Sequence, residues 1–245
     1  IGSHGSADGS IERRRTGEVG GWIKGVDLTP GALTGVWAPR NTREDIWDAM
    51  KNKETYATSG TRIKVRFFGG FGLNEKTGDY NAMVKSGYDK GVPMGQTLKN
   101  GEGAPVFYVW AIKDPDQANL DRIQIIKGWV SKSGELKEKI IEVVWSNDRK
   151  LNAKGKLPAV GNTVDLKSAT YTNNIGSSTL TGSWKDTEFD ASINAMYYVR
   201  VIEIPTPRWS TYDAVRAGLP LLDGVKSTIQ ERAWTSPIWY KPTKY

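Results

Sequence analysis

From about residue 61 the apolar residues of this chain recur at every second position, and that period constrains the fold more than any other feature. Ile63, Val65 and Phe67 alternate with Lys64, Arg66 and Phe68, and Gly69-Gly70 ends the run. Successive side chains of a strand point to opposite faces, so a period of two marks a strand with one face buried. Further runs predicted as strands are 106–112, 122–130, 139–145, 196–204 and 237–240, each bounded by Gly, Pro, Asn, Asp or Ser. Residues 71–104 and 147–194 are polar and Gly-rich and read as long loops with short strands. After residue 60 no helix-strand alternation appears, which argues against a parallel doubly wound core. Many separated strands behind a single clear helix predict a mainly β protein, an antiparallel β-sandwich.

That helix is predicted over 42–53. Asn41 or Thr42 caps it, Glu44 and Asp45 sit in the first turn, and Lys51 and Lys53 fall in the last, each sign where the helix dipole favours it. Ile46, Ala49 and Met50 make an apolar face at helical spacing. A second, short helix is predicted over 211–217, capped by Ser210 or Thr211 and ended by Gly218. Residues 1–40 are punctuated by glycine and too long for an ordinary connection, so they read as a functional loop.

Composition removes several chemistries. There is no cysteine, which excludes disulfides, thiolate metal sites and cysteine nucleophiles, and fits a periplasmic or secreted location. There is one histidine, His4. A catalytic zinc site ordinarily uses two or three His, and a Ser-His-Asp triad needs one. A complete metal centre or triad must therefore use the extreme amino terminus, use carboxylates alone, or borrow residues from elsewhere. The net charge of +7 is spread over short basic clusters, so a solvated surface is expected rather than a nucleic-acid interface. No apolar stretch approaches the roughly 18 residues that span a bilayer. The chain begins at Ile1 and has no signal-peptide pattern, so a start within a longer chain is expected.

Several residues are candidates for binding. Arg13 and Arg14, with Arg15, offer guanidinium forks that match phosphate or carboxylate oxygens; a solvated loop is the bland alternative. Pro205 and Pro207 stiffen a segment that presents Arg208 and Trp209 together, as a substrate-facing pair or as a stacked structural lock. Arg232, between Glu231 and Trp234, reads as a buried ion pair with an aromatic cover or as part of a site. Thr58-Ser59-Gly60, where the helix hands over to a strand, reads as a tight turn. Ten tryptophans raise carbohydrate stacking, but Trp110, Trp129 and Trp145 lie in predicted strands and are expected in the core.

The segments Thr-Arg-Glu-Asp-Ile-Trp-Asp-Ala-Met (42–50), Glu-Thr-Tyr-Ala-Thr-Ser-Gly-Thr-Arg-Ile (54–63), Leu-Asp-Arg-Ile-Gln-Ile-Ile-Lys-Gly-Trp (120–129), Glu-Ile-Pro-Thr-Pro-Arg-Trp-Ser-Thr-Tyr-Asp-Ala (203–214) and Gln-Glu-Arg-Ala-Trp-Thr-Ser-Pro-Ile-Trp-Tyr (230–240) closely resemble a bacterial family of unknown function, DUF3604. That family resembles the polymerase-and-histidinol-phosphatase (PHP) metallohydrolases, in the carbaryl-hydrolase-like branch. The resemblance implies an α/β metal-binding barrel followed by a β-sandwich. Residues 1–60 would be the end of the barrel, with its loop and helix, and 61–245 the sandwich. It implies a divalent metal (Zn, Mn or Fe), held mostly outside this chain, with His4 and Asp8 as the ligands present here. Ile1-Gly2-Ser3-His4 resembles the last barrel motif, but the Asp expected just before the His is absent and Asp8 follows instead. The implied activity is hydrolysis of a small-molecule phosphoester, other ester or amide by metal-activated water, with this portion inactive alone and partnered by the missing N-terminal PHP-like portion. Two rivals stand beside it: a non-catalytic structural or binding subunit that has lost its metal site, and a carbohydrate- or surface-binding β-module.

Overall fold

The computed structural model describes residues 17–19, 23–27 and 31–242. Strand makes up 35% of it and helix 14%, which sets the class as mainly β. In chain order the strands are β1 (Glu18–Val19), β2 (Ile23–Lys24), β3 (Leu33–Val36), β4 (Thr55–Thr58), β5 (Lys64–Gly70), β6 (Val92–Pro93), β7 (Val106–Ile112) and β8 (Leu120–Val130). They continue as β9 (Leu136–Trp145), β10 (Thr179–Lys185), β11 (Ala195–Glu203), β12 (Thr206–Pro207), β13 (Thr228–Ile229), β14 (Arg232–Thr235) and β15 (Ile238–Tyr240). The larger sheet has the order β3-β4-β14-β11-β8-β9, with β15 also on β11, and the smaller has the order β10-β7-β5-β6. Neighbouring strands in both pair antiparallel. Strands β3 and β4, from the segment before residue 61, belong to the larger sheet through β14.

Both sheets feed one apolar core. On β11 the residues Ala195, Tyr197, Val199 and Val201 are buried, while the residues between them are half-buried. They meet Val65 and Phe67 of β5 and Phe107, Val109 and Ala111 of β7. The Phe107 ring lies 4.3 Å from that of Tyr197 and 5.8 Å from that of Phe67. Each fully buried large apolar side chain contributes about 1.5–3 kcal/mol.

Helix α1 (Arg43–Lys51) forms as its caps predict: the Thr42 hydroxyl accepts from the Asp45 backbone N–H at 3.2 Å, with Glu44 and Asp45 in the first turn and Lys51 in the last. Its seat is narrow, because Ala49 is buried whereas Met50 and Trp47 are exposed. Helix α2 (Tyr80–Lys90) lies in a stretch expected to hold loops and short strands. Asp79 caps it by accepting from the Ala82 N–H at 2.8 Å, and Met83 and Gly87 form its buried face. Gly87 lies so close to the Phe68 ring that a methyl group there would overlap it. Helix α3 (Trp209–Arg216) begins two residues ahead of its predicted start. Trp110, Trp129 and Trp145 are half-buried along their strands. Among the described residues, no helix is long and apolar enough to cross a membrane.

Two buried polar clusters tie loops to the sheets. Asp121 accepts from Arg122 at 3.0 Å, from Arg149 at 2.5 Å and from Gln230 at 3.2 Å, which anchors the segment after β9. Asp186 pairs with Lys127 at 2.5 Å and accepts from the Tyr197 hydroxyl at 2.7 Å. Burial and the neighbouring Asp186 push the Tyr197 phenol far above its ordinary range.

Candidate functional site

Strand β11 ends on a carboxyl where its alternation calls for an apolar side chain. The inward phase runs Ala195, Tyr197, Val199, Val201 and then Glu203, whose relative exposure is 0%. The ladder with β8 shifts register between Ile202 and Glu203, and such an irregularity re-aims a side chain at a strand end. On the other side, β11 pairs Ile202 with Arg232 of β14, and one step further the Glu203 N–H donates to the Glu231 carbonyl at 2.9 Å. Glu203 and Glu231 therefore stand opposite each other across two antiparallel strands, where Cβ atoms are about 4.5–5.5 Å apart and like charges destabilise.

The two carboxyls are treated differently by their surroundings. Glu231 accepts a short hydrogen bond from the Ser59 hydroxyl. Burial raises its pKa, while Ser59 and the charges of Arg232 and Arg208 work against the rise. Neither Glu203 oxygen makes a well-formed hydrogen bond among the described residues, and the Thr61 hydroxyl beside it makes none either. Burial pushes the Glu203 carboxyl up to about 8; Thr61 offsets part of this, and Glu231 and Asp114 add to it. Asp114 is itself satisfied. Burial raises it, but the Arg62 guanidinium and the Arg62 and Asp116 N–H groups outweigh that and hold it below the usual carboxylate range.

A cavity of about 430 Å³ opens at this place. Glu203, Glu231, Thr61 and Gln117 give it polar groups, and Trp209, Tyr212, Pro207 and Leu33 give it apolar walls. The turn Ser59-Gly60 brings the helix-side segment to the rim. Gly60 has φ +137°, and a Cβ there would lie 2.7 Å from the Gly31 carbonyl, so only glycine lets these two loops meet. Strand β12 pairs with β13 and sets Pro207 on the wall, and α3 starts at once behind it with Trp209 and Tyr212.

The sequence candidates fall in different places. Trp209 lines the cavity. Arg208 lies behind it, with its guanidinium 5.1 Å from the Trp209 ring centre; it donates to Ser210 Oγ at 2.9 Å and, closely, to the Val26 carbonyl. Burial lowers the Arg208 pKa, against the pull of Asp27 and Glu231. Arg232 donates to the Gln230 carbonyl at 3.1 Å and lies 6.0 Å from the Trp234 ring centre, away from the cavity wall. His4, Asp8, Arg13 and Arg14 lie outside the described residues. Among the described residues no three His, Cys, Asp or Glu side chains come together as a metal-binding group, so these residues by themselves do not fit the implied divalent metal.

Glu203, Thr61, Gln117 and Tyr212 are absent from the sequence-derived candidates. A signal for Glu203 existed: it continues the inward phase of the best alternating strand. Its partner Glu231 is distant in sequence, and only the strand register joins them.

A family described as a protein of unknown function (DUF3604) matches residues 1–242. No curated protein and no solved structure matches the chain.

Proposed function

We propose, from the premise that this chain belongs to the DUF3604 family, that it supplies the substrate pocket of a metal-dependent hydrolase related to the PHP metallohydrolases, in the carbaryl-hydrolase-like branch. The observation that carries the reading is the cavity over the Glu203–Glu231 pair. It has the size of a small-molecule site, apolar walls, a few convergent polar groups and a carboxyl strongly displaced from its ordinary pKa, the combination that marks binding and catalytic sites. A divalent metal would be held mainly by polypeptide outside the described residues, with His4 and Asp8, and would supply the chemistry of activating a water and polarising the substrate. The described residues do the rest. The two sheets form a β-sandwich that closes against the barrel, Trp209 and Tyr212 exclude water, and Glu203 holds a proton at neutral pH until substrate enters.

The described wall of the cavity carries two carboxyls and no Lys, Arg or His. This favours a carboxylic ester or amide over a dianionic phosphoester, which the wall would repel. The protein acts on a periplasmic or secreted pool of small molecules, and the 245-residue chain is inactive alone.

The test compares the isolated chain with a longer natural form carrying the barrel. Both are assayed with carboxyl-ester, amide and phosphoester substrates in Mn or Zn. Turnover by the longer form only, faster on carboxyl esters or amides and reduced at least tenfold by Glu203→Gln, is expected. Metal-dependent turnover by the isolated chain, or a longer form indifferent to Glu203→Gln, overturns the reading.

The absence of a three-donor cluster among the described residues favours one second reading, a binding subunit without catalysis. Stoichiometric metal in the longer form would count against it.

A further inference from the structure

Two glutamates placed opposite each other on adjacent strands repel unless something positive stands between them. Three features of this pair decide what that is. First, Glu203 is wholly buried, and neither of its oxygens makes a well-formed hydrogen bond among the described residues. A buried polar atom without a hydrogen bond is costly and rare, so an unmatched carboxyl on the wall of a cavity marks a group that acts on something else. Second, the nearby cations are committed. Arg62 is bonded to Asp114 and Asp116, Lys113 Nζ donates to the carbonyls of Asp114 and Pro115 at 2.9 and 3.1 Å, Arg208 is bonded to Ser210 and Val26, and Arg232, whose charge with that of Arg208 acts on Glu231, donates to the Gln230 carbonyl at 3.1 Å. Third, no basic side chain lines the cavity among its described residues, while Trp209 and Tyr212 make an apolar wall. An anion has no counter-charge among the described lining residues; a cation has two carboxyls on the wall.

We propose that this cavity binds the ammonium-bearing end of its ligand, with Glu203 and Glu231 as counter-ions and Trp209 and Tyr212 against the attached carbon chain. Without ligand, the pair relieves its repulsion by keeping a proton on Glu203. With ligand, the ammonium takes the proton's place and the proton leaves to solvent. The charge stays balanced: one positive centre enters and one departs. Trp209 and Tyr212 already carry Arg208 and Arg216 at 5.1 and 5.2 Å, so the rings serve as packed walls, and the attraction comes from the carboxyls. The inference deepens the hydrolase reading, because it assigns a positive charge to the substrate. Only the chemistry rests on that reading; the binding step does not.

The experiment is therefore a binding measurement on the full 245-residue chain, without metal and without turnover. Butylammonium, its neutral counterpart butanol and its anionic counterpart butyrate are titrated by calorimetry from pH 6 to 9, in buffers of differing ionisation enthalpy. The ionisable groups around Glu203 are Glu231 and Asp114, which raise its pKa, Lys113, which lowers it, and Tyr171, whose own pKa Glu203 helps to raise. Butylammonium is expected to bind and the other two not. Its affinity should rise about tenfold per pH step up to pH 8 and level off above it, with about one proton released per ligand at pH 6.5.

Glu203→Gln should lower the affinity at least tenfold and abolish the proton release. Glu231→Gln, checked like it for a single cooperative unfolding transition, should lower the affinity as well. Equal binding of butanol and butylammonium, or an affinity flat between pH 6 and 8, overturns the proposal. So does tight Mn or Zn binding to the chain that competes with butylammonium and is lost in Glu203→Gln, because the pair is then a metal site. Failure of the turnover assay with intact butylammonium binding would sink the hydrolase reading and leave this one standing.

Discussion

Replacing Glu203 by glutamine removes one ionisable proton and almost no volume, so its effect should follow pH. In the fold the carboxyl titrates at about 8 rather than at its ordinary 4.5, because burial disfavours the charged form and Glu231 stands opposite. The unfolded chain then releases the proton at lower pH than the folded one. The sign follows: below pH 4.5 both states hold the proton and there is no penalty. Between 4.5 and 8 the wild type loses about 1.4 kcal/mol of stability per pH step, and above 8 the full loss of about 5 kcal/mol is in place. Glutamine does not titrate, so Glu203→Gln escapes this slope. Relative to their difference at pH 4.5, the variant should gain about 3 kcal/mol on the wild type at pH 7, or roughly 6–12 °C in melting temperature for a chain of this size. Urea unfolding of both proteins in matched buffers from pH 4.5 to 9 measures the difference. A constant difference across that range would refute the argument, since it would mean that Glu203 ionises alike in the folded and unfolded chain.

Three further outcomes test the frame around the site. Asp186→Ala leaves Lys127 buried without its partner and should cost about 3–5 kcal/mol, whereas the double change Lys127→Met with Asp186→Leu should recover most of it; unfolding free energies of the three proteins decide. Gly95→Ala should destabilise by about 2 kcal/mol or more and lower the yield of folded protein, because Gly95 has φ +87° and a Cβ there would run into the Lys53 backbone. Thr42→Ala removes the hydroxyl that caps α1 and should cost about 1 kcal/mol, with Thr42→Ser restoring it, as a thermal melt would show.

How much was legible depended on where each signal lived. Strands β7, β8 and β11 stand close to where the sequence places them: β11 buries every second residue, while β7 and β8 bury near-continuous runs bounded by turn residues. Helix α1 was legible from Thr42, Glu44 and Lys51, since caps and end charges act within one turn. Helix α2 was not. Only Met83 and Gly87 are buried on it, and its seat is a groove against Phe68 that exists only once β5 is in place. Strand β10 reads Thr-Leu-Thr-Gly-Ser-Trp-Lys, too polar to declare itself, and is held by its ladder with β7. Arg208 and Trp209 stood out because two prolines isolate them; Tyr212 and Gln117 carry no local mark.

The sequence by itself determined which faces are wet and which are dry, because alternation, caps and glycine turns are properties of short stretches and act before distant parts meet. Tertiary structure decided which strands lie side by side. Glu231 is an ordinary acidic residue until the β11–β14 register sets it against Glu203, and Glu203 is an ordinary strand end until the core closes over it. Burial and a like charge arise only from packing, and together they turn two common glutamates into a pair that holds a proton.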